Sequence, residues 1–280
     1  MYRCRNRAPR RRPERSRLPA PSSPADWIWR PSVTGSSFDP PADLVPAART
    51  LFGARLPLAT EYARRLATDG VVRGLIGPRE TERIWDRHLV NCAAVAELIA
   101  SEASTADVGS GAGLPGVVLA IARPDLSVAL LEPLARRTAF LSEVVADLGL
   151  DNVEVVRVRA EDAVGKLAPV DVVTARAVAA LDRLSAWCLP LAKVGGRLLA
   201  LKGATAADEV AAHRDAVARL GGSEPVIRSC GQGLLPDPTT VVEVVRDRDL
   251  TPASKRERPE RPGRSRSGRS RSGSRPRRGA

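Results

Sequence analysis

A glycine-rich segment, DVGSGAGLPG over residues 107–116, constrains the fold of this chain more than any other stretch. It follows a short apolar run that predicts a strand, and it precedes an apolar, helix-forming run that ends at Ala122. In that context Gly111, Gly113 and Gly116 allow a tight turn and let a ligand approach the backbone, while amides at the helix start offer hydrogen bonds. The segment therefore predicts a ligand-binding turn at the carboxyl end of a strand.

From Ser104 onwards, short apolar runs alternate with helical stretches. Strand followed by helix, repeated, implies right-handed crossovers and a mostly parallel sheet, which predicts a Rossmann-like α/β fold. The last two apolar runs, 225–230 and 240–246, have only a Gly/Pro loop between them, so we expect an antiparallel hairpin at the sheet edge. Upstream, apolar residues between 42 and 103 recur at helical spacing and predict a helical lead-in. The other predicted strands are 106–108, 127–131, 153–158, 170–174 and 197–201, and the predicted helices are 114–122, 134–148, 181–191 and 206–220.

The basic charge of the chain is concentrated at its two ends. Residues 1–20 carry a net charge of +7 and residues 251–280 a net charge of +9, whereas the rest of the chain is slightly acidic. The last thirty residues contain no Val, Ile, Leu or aromatic side chain, so they cannot bury enough apolar surface to offset the entropy of ordering. We expect 251–280 to be a disordered Arg/Ser-rich tail and 1–41 a disordered basic extension. The folded part then comprises the lead-in, 42–103, and an α/β domain, 104–250.

The cysteines give no sign of a metal site or a disulfide framework. They stand far apart and form no CxxC pair, a usage typical of a reducing cytoplasm. No uninterrupted apolar stretch approaches the length of a membrane span. We therefore expect a cytoplasmic protein with no metal and no membrane partner. The cysteines are Cys4, Cys92, Cys188 and Cys230.

Acidic residues around the glycine segment indicate which nucleoside it holds. Glu132 stands twenty-one residues after Gly111, directly after the second predicted strand, where a carboxylate meets a ribose hydroxyl pair. A glycine turn with such an acidic residue is common to sites for NAD and for S-adenosylmethionine. Asp107 precedes Gly109 by two residues and gives the D-x-G-x-G form usual for S-adenosylmethionine, in which the carboxylate faces the ammonium and the sulfonium of this methyl donor. Residues 160–162, after the third strand, look like a loop that brackets an adenine.

Six segments, taken in order, resemble the glucose-inhibited division protein B family, bacterial guanine-N7 methyltransferases acting on 16S ribosomal RNA. The resemblance covers about residues 42–247 and leaves out both basic ends. It implies the sheet of a class I S-adenosylmethionine methyltransferase. The segments are IWDRHLVNC (84–92), DVGSGAGLPGVVLAI (107–121), LLEPLARRTAFL (130–141), RVRAED (157–162), TARAVAALDRL (174–184) and GGRLLALKG (195–203).

The same resemblance implies S-adenosylmethionine as cofactor, with further donor contacts at Gly109, Leu114, Ala160, Glu161 and Arg176. It also implies 16S ribosomal RNA, or a small-subunit assembly intermediate, as partner, and guanine 527 in the 530 loop as the methylated base. Guanine N7 carries a free lone pair at neutral pH, so no general base is required. We therefore assign no catalytic side chain and expect alignment and electrostatics to dominate.

Several basic residues near the expected crevice are candidates for RNA contact. Arg87 and His88 lie together in the helical lead-in, and the histidine has at most a positioning role. Arg136 and Arg137 stand near the start of a helix, where cations gain nothing from the helix dipole. Lys202 ends the fifth predicted strand and could meet an RNA phosphate.

Two other functions remain open from the residues alone. An NAD-dependent oxidoreductase could use the same fold, but no coherent second catalytic domain follows the dinucleotide half. A non-catalytic RNA-binding protein could hold RNA with its basic ends around an inert scaffold. The intact glycine segment, Glu132 and Glu161 argue against that second alternative.

Overall fold

The computed structural model describes residues 38–250 of the chain. The segments 1–37 and 251–280, and with them Cys4 and the disorder predicted for these residues, lie outside the described part; of the extension predicted to be disordered, only 38–41 is described. Turns at the start of the described part lead into the first helix, and the indole N–H of Trp85 donates to the carbonyl oxygen of Phe38 at 2.8 Å.

The lead-in is helical, as its periodicity predicts, but its helices are short and partly irregular. Proline stands in the first turn of the first two helices, where its missing N–H costs no hydrogen bond. Two stretches, Leu66–Gly70 and Ile84–Leu89, are wound as π-helix. The α-helices are α1 (Val45–Phe52), α2 (Leu56–Arg65) and α3 (Val90–Ala94), joined in part by 3-10 turns at Gly53–Arg55, Pro78–Arg83 and Val95–Leu98.

Seven strands form one sheet in the order β3-β2-β1-β4-β5-β7-β6. Strands β1 to β5 are parallel, and β7 runs antiparallel to both β5 and β6, so the predicted edge hairpin is confirmed. The chain order reverses between β1 and β4, and ligands bind outside the carboxyl ends of the strands at such a switch point. The strands are β1 (Ser104–Val108), β2 (Ser127–Leu131), β3 (Val153–Val156), β4 (Val170–Arg176), β5 (Ala192–Leu201), β6 (Val226–Cys230) and β7 (Thr239–Val245).

The predicted crossing helices are observed within two residues of their predicted bounds, except that the helix predicted at 181–191 ends at Cys188 and continues as a 3-10 turn, Leu189–Leu191. Helix α4 starts at Gly116, two residues later than predicted and directly after Pro115. Residues 160–163, expected to be loop, form a single helical turn, which four residues are too few to signal by periodicity. The helices are α4 (Gly116–Ala122), α5 (Ala135–Asp147), α6 (Ala160–Ala163), α7 (Leu181–Cys188) and α8 (Ala206–Arg219).

Two apolar clusters cover the two faces of the sheet. One joins lead-in residues such as Tyr62 and Leu89 with Leu119, Leu130 and Phe140 from the α/β part. The other lies between the opposite sheet face and helices α7 and α8. The lead-in therefore shares a core with the sheet, and this packing brings lead-in side chains to the carboxyl ends of β1 and β4.

Candidate active site

The glycine segment between β1 and α4 is closely packed on one side and open on the other. The hydroxyl of Tyr62 donates to the carbonyl oxygen of Ala112 at 2.7 Å. A Cβ on Gly113 would lie 2.7 Å from that hydroxyl and 2.5 Å from Cγ2 of Val117, so no larger residue fits there. A Cβ on Gly111 would meet only the carbonyl oxygen of Gly109, at 3.7 Å. The segment is thus pinned by Tyr62 and leaves free space beside Gly111.

Asp107 lies beneath this turn and has no exposed surface. Its Oδ2 accepts from the amide of Gly116 at 3.1 Å, and its Oδ1 accepts from the hydroxyl of Thr174 at 3.0 Å. Burial raises the pKa of Asp107 to about 6, against the opposing effect of these hydrogen bonds. We expected this carboxylate to face the donor's ammonium and sulfonium. The structure instead gives it two internal partners, and it ties the start of α4 to β1 and β4.

Glu132, directly after β2, is buried and faces the glycine segment. Its Oε2 accepts from the amide of Gly111 at 3.0 Å and its Oε1 from the amide of Leu134 at 3.0 Å. An ionised carboxylate has about four acceptor positions, so capacity remains for ribose hydroxyls. The guanidinium of Arg137 lies 3.5 Å from Oε2, which makes Arg137 a neighbour of the predicted donor site, whereas Arg136 is exposed.

The remaining predicted donor residues lie at the same edge of the sheet. Leu114 is half-buried in the turn before α4. Ala160 and Glu161 open α6, after β3, with Ala160 half-buried and Glu161 exposed. Because β1, β2 and β3 are parallel neighbours, their carboxyl ends bring these residues to the side of the sheet where Gly109 lies.

Arg176 is the last residue of β4 and contacts the lead-in with both ends of its guanidinium. Its Nη1 donates to Sγ of Cys92 at 3.2 Å, and its Nη2 lies 2.6 Å from Nδ1 of His88. His88 is buried, with 6% of its surface exposed, so it is not available for the RNA contact predicted for it. Burial, and then the charge of Arg176, lower the pKa of His88 to about 4.

A cleft of about 420 Å³ opens beyond Arg176, at the carboxyl ends of β4 and β5. We call it the β4–β5 cleft. Arg87 at its rim is half-exposed and lies 3.4 Å from Oε2 of Glu80. Lys202 does not point freely outward as predicted for a phosphate contact. Its Nζ donates to the carbonyl oxygen of Ala179 at 2.9 Å and to Glu209 at 2.7 Å. The lining includes Arg87, Asn91, Arg176, Lys202, Thr205 and Thr239.

The turn after β4 contributes residues that sequence reasoning missed. Ala177 has a φ of 55°, a left-handed conformation that non-glycine residues seldom adopt and that recurs at functional sites. A Cβ on Gly109 would lie 3.0 Å from Cγ2 of Val178, so this turn lies against the glycine segment. Thr174 and Tyr62 were also missed, because a strand threonine and a helical tyrosine give the same signal as ordinary core residues.

A larger depression, of about 610 Å³, lies at the opposite edge of the sheet. It is lined by amino-terminal strand residues such as Ser104 and Ser127, and none of the predicted site residues reaches it. Ligands of open parallel sheets bind at the carboxyl ends of the strands, so the candidate site is the edge that carries Gly109 and Arg176.

Within residues 38–250, no cluster of three or more His, Cys, Asp or Glu side chains has the arrangement of a metal site. The helices described there are all too short or too polar to cross a bilayer. Cys92, Cys188 and Cys230 are buried free thiols.

The reversed strand decides between the nucleosides that such a site can hold. Dinucleotide-binding sheets have the order 3-2-1-4-5-6 with parallel strands, whereas here β7 is inserted antiparallel between β5 and β6. This sheet, with its glycine turn and the acidic residue after β2, is that of a class I S-adenosylmethionine-dependent methyltransferase. An NAD-dependent oxidoreductase is not favoured.

Sequence comparison gives the particular family. The family model described as rRNA small subunit methyltransferase G matches residues 55–236, and the chain belongs to this family. It is 64% identical over 223 residues to the ribosomal RNA small subunit methyltransferase G of Salinispora tropica, covering 78% of this chain and 92% of that protein. The protein of the same name from Salinispora arenicola is 61% identical over 234 residues, covering 80% and 97%. That of Corynebacterium efficiens is 53% identical over 210 residues, covering 74% and 90%.

Proposed function

We propose that this enzyme transfers the methyl group of S-adenosylmethionine to N7 of guanine 527, in the 530 loop of 16S ribosomal RNA, in the bacterial cytoplasm. The observation that carries the proposal is the adjacency of two sites at one sheet edge. Gly111 and Glu132 line the donor side, and the β4–β5 cleft begins at Arg176. The turn between them, through Val178, touches the glycine segment.

The donor side has the properties that S-adenosylmethionine requires. Space beside Gly111 admits a ligand against the backbone, and Glu132 retains acceptor capacity for ribose hydroxyls. Glu161, which is exposed at the start of α6, is the residue proposed to bracket the adenine. When bound, the cofactor supplies an electrophilic methyl group, and these residues of the chain hold and orient it.

The acceptor side suits a nucleophile that needs no deprotonation. The histidine nearest the β4–β5 cleft, His88, faces the guanidinium of Arg176 with Nδ1 and is neutral at physiological pH. It therefore cannot serve as a base without giving up that contact. Guanine N7 presents its lone pair directly, so the protein's task is to align the base and exclude water. A purine target also has to leave its stack to reach such a cleft, which favours loop RNA over duplex.

Exposed cations around the site favour a polyanionic partner. Arg87 stands at the cleft rim and Arg136 at the start of α5, both exposed to solvent. Phosphate contacts of this kind position an RNA without reading its sequence. The partner we propose is 16S ribosomal RNA, either free or within a small-subunit assembly intermediate.

The test is mass mapping of 16S rRNA from a strain that lacks the gene, with and without complementation by the wild-type chain. Loss and restoration of one methyl group at N7 of guanine 527 is the expected result. Purified protein is then given S-adenosylmethionine with naked 16S rRNA or with assembly intermediates. Methylation of another base or atom would contradict the substrate assignment. Failure to bind S-adenosylmethionine at all would leave the non-catalytic RNA-binding alternative.

A further inference from the structure

His88 has its two ring nitrogens facing two different charged groups. Nδ1 lies 2.6 Å from Nη2 of Arg176, and Nε2 lies 3.2 Å from Oε2 of Glu80. The ring sits in the π-helical stretch Ile84–Leu89, and such stretches are rare and recur at functional sites. Nε2 has no hydrogen-bond partner of good geometry, so the close contact at Nδ1 is the one that fixes the ring.

We propose that His88 is a positioning residue that fixes the guanidinium of Arg176 at the mouth of the β4–β5 cleft, by accepting its hydrogen bond at Nδ1. The contact itself is a property of the folded chain. Its consequence for methyl transfer rests on the proposed function, in which Arg176 lies between the donor site and the β4–β5 cleft and contacts the bound molecules.

The chemistry of the two groups determines the tautomer. A guanidinium has only donors and stays protonated, so a ring nitrogen 2.6 Å away must present a lone pair. The ring proton is then on Nε2, the side of the Glu80 carboxylate. The charged groups around the ring are Arg176, Glu80, Arg87 and Asp86, and the thiol of Cys92 holds the other end of the same guanidinium. A second proton on the ring would point at Arg176 and break the contact.

Two side chains hold the guanidinium of Arg176, His88 at Nη2 and Cys92 at Nη1. Arg176 ends β4, and Ala177 immediately turns the chain into a left-handed conformation towards the glycine segment. A long arginine side chain has many rotamers, and immobilising it before substrate arrives lowers the entropic cost of binding. Cys92 and His88 both come from the lead-in, so the lead-in contributes to the site by orienting an arginine of the sheet.

A spectroscopic test uses the fact that the chain has only two histidines. In the full-length His213→Asn variant, the ¹⁵N–¹H spectrum of the imidazole reports His88 alone. We expect the Nε2–H tautomer at neutral pH, with no protonation until well below pH 6. In an Arg176→Leu background the ring should return to a mixture of tautomers. A protonated Nδ1 at neutral pH, or a spectrum unchanged by Arg176→Leu, would overturn the proposal.

A kinetic test separates positioning from mere packing. His88→Asn offers an amide oxygen near the place of Nδ1, whereas His88→Ala offers none, and His213→Asn is the matched control. We expect turnover at saturating RNA to fall at least tenfold in His88→Ala and to recover largely in His88→Asn, with RNA affinity within twofold of wild type. An asparagine variant as slow as the alanine variant, with equal folded content by circular dichroism, would contradict the proposal. If the wild-type enzyme methylated no RNA, the proposed function would fail, while the tautomer measurement would still decide the role of His88.

Discussion

The backbone amide of Gly111 donates to Oε2 of Glu132 at 3.0 Å, although the two residues stand twenty-one positions apart. The other carboxylate oxygen accepts from the amide of Leu134. One side chain thus joins the turn after β1 to the segment after β2. Glu132, which we propose to bind the donor ribose, also stabilises the conformation of the glycine segment. Its removal should therefore affect both the ribose contact and the conformation of the segment.

Replacing Glu132 by alanine should weaken S-adenosylmethionine binding by about 1.5–3 kcal/mol, the usual loss for a hydrogen bond to a charged acceptor. Glu132→Gln keeps one acceptor oxygen and should lose less. Isothermal titration calorimetry with the cofactor measures both variants. Equal affinity of Glu132→Ala and wild type would remove Glu132 from the donor site.

A valine at position 111 should abolish cofactor binding while the protein remains folded. The space that its side chain would fill is the space proposed for the donor. Gly149 is a matched control, because it has the same φ of 59° and no atom within 4 Å of its added Cβ. Both valine variants carry similar backbone strain. Thermal unfolding should therefore shift alike in both, whereas only Gly111→Val should lose methyl transfer. Activity lost equally in both would mean that strain, and not occupancy of the site, is the cause.

The Tyr62→Phe variant should be less stable by about 1–3 kcal/mol, because the buried carbonyl of Ala112 loses its partner. The glycine segment should also become looser, so donor affinity should fall. Thr50→Val is the comparison, since it removes a hydroxyl that donates to the carbonyl of Pro46 on an exposed helix surface. Denaturant unfolding and calorimetry measure the two effects. A Tyr62→Phe protein with wild-type stability would show that this hydrogen bond does not hold the turn.

Acid should destabilise the fold through His88. The pKa of His88 falls from 6.5 in the unfolded chain to about 4 in the folded one. The stability that the neutral ring contributes to the folded chain is therefore complete above pH 6.5 and is lost as pH falls towards 4. Asp107 acts in the opposite sense. Its pKa rises to about 6 on folding, so the stability contributed by its protonated form is present below pH 3.8 and is lost as pH rises through 6.

The His88→Asn variant has no group that titrates in this way at position 88. Between pH 7 and pH 4 its free energy of unfolding should therefore rise, relative to that of wild type, by up to about 3 kcal/mol.

Denaturant unfolding at several pH values checks this prediction. The His213→Asn variant serves as control, because His213 is a partly exposed histidine on α8. If the free-energy difference between wild type and His88→Asn did not change with pH, His88 would titrate alike in the folded and unfolded chains.

Removal of residues 251–280 should weaken RNA binding without changing the methylated base. This segment carries a net charge of +9 and no aromatic residue, so it offers phosphate attraction but no base stacking. The slope of log affinity against log salt should decrease by about 0.7 for each phosphate of single-stranded RNA that the shortened protein no longer neutralises. Filter binding over a salt series measures the slope, and mass mapping locates the methyl group. A methyl group moved to another base would mean that the tail reads sequence.

The sheet and its glycine turn could be predicted from sequence because both depend on local pattern. Apolar runs of strand length gave β2 within its observed bounds, and the glycine spacing located the turn. β5 begins five residues earlier than predicted, because Gly195 and Gly196 interrupt its apolar pattern. Such a pattern states which positions are buried and where the chain turns.

The partners of charged side chains could not be predicted, because they depend on contacts between distant elements. Arg176 meets His88 across 88 residues of chain, and Lys202 folds inwards to Ala179. Asp107 has the sequence position of a donor ligand, but its burial follows from how closely α4 packs on β1. The spacing of residues in the sequence predicts that a charged side chain lies at the edge of the sheet, but it does not identify the group that pairs with this charge.

The shared core of lead-in and sheet has a consequence for the inheritance of this gene. Tyr62 and Leu89 pack in one cluster with Leu119 and Phe140, so the side chains on either side of residue 104 have to complement each other. A recombination event between relatives with its breakpoint at that position would join halves selected in different partners, and the mismatch would fall directly beneath the glycine segment. Horizontal exchange is therefore expected to transmit the lead-in and the glycine segment as one unit.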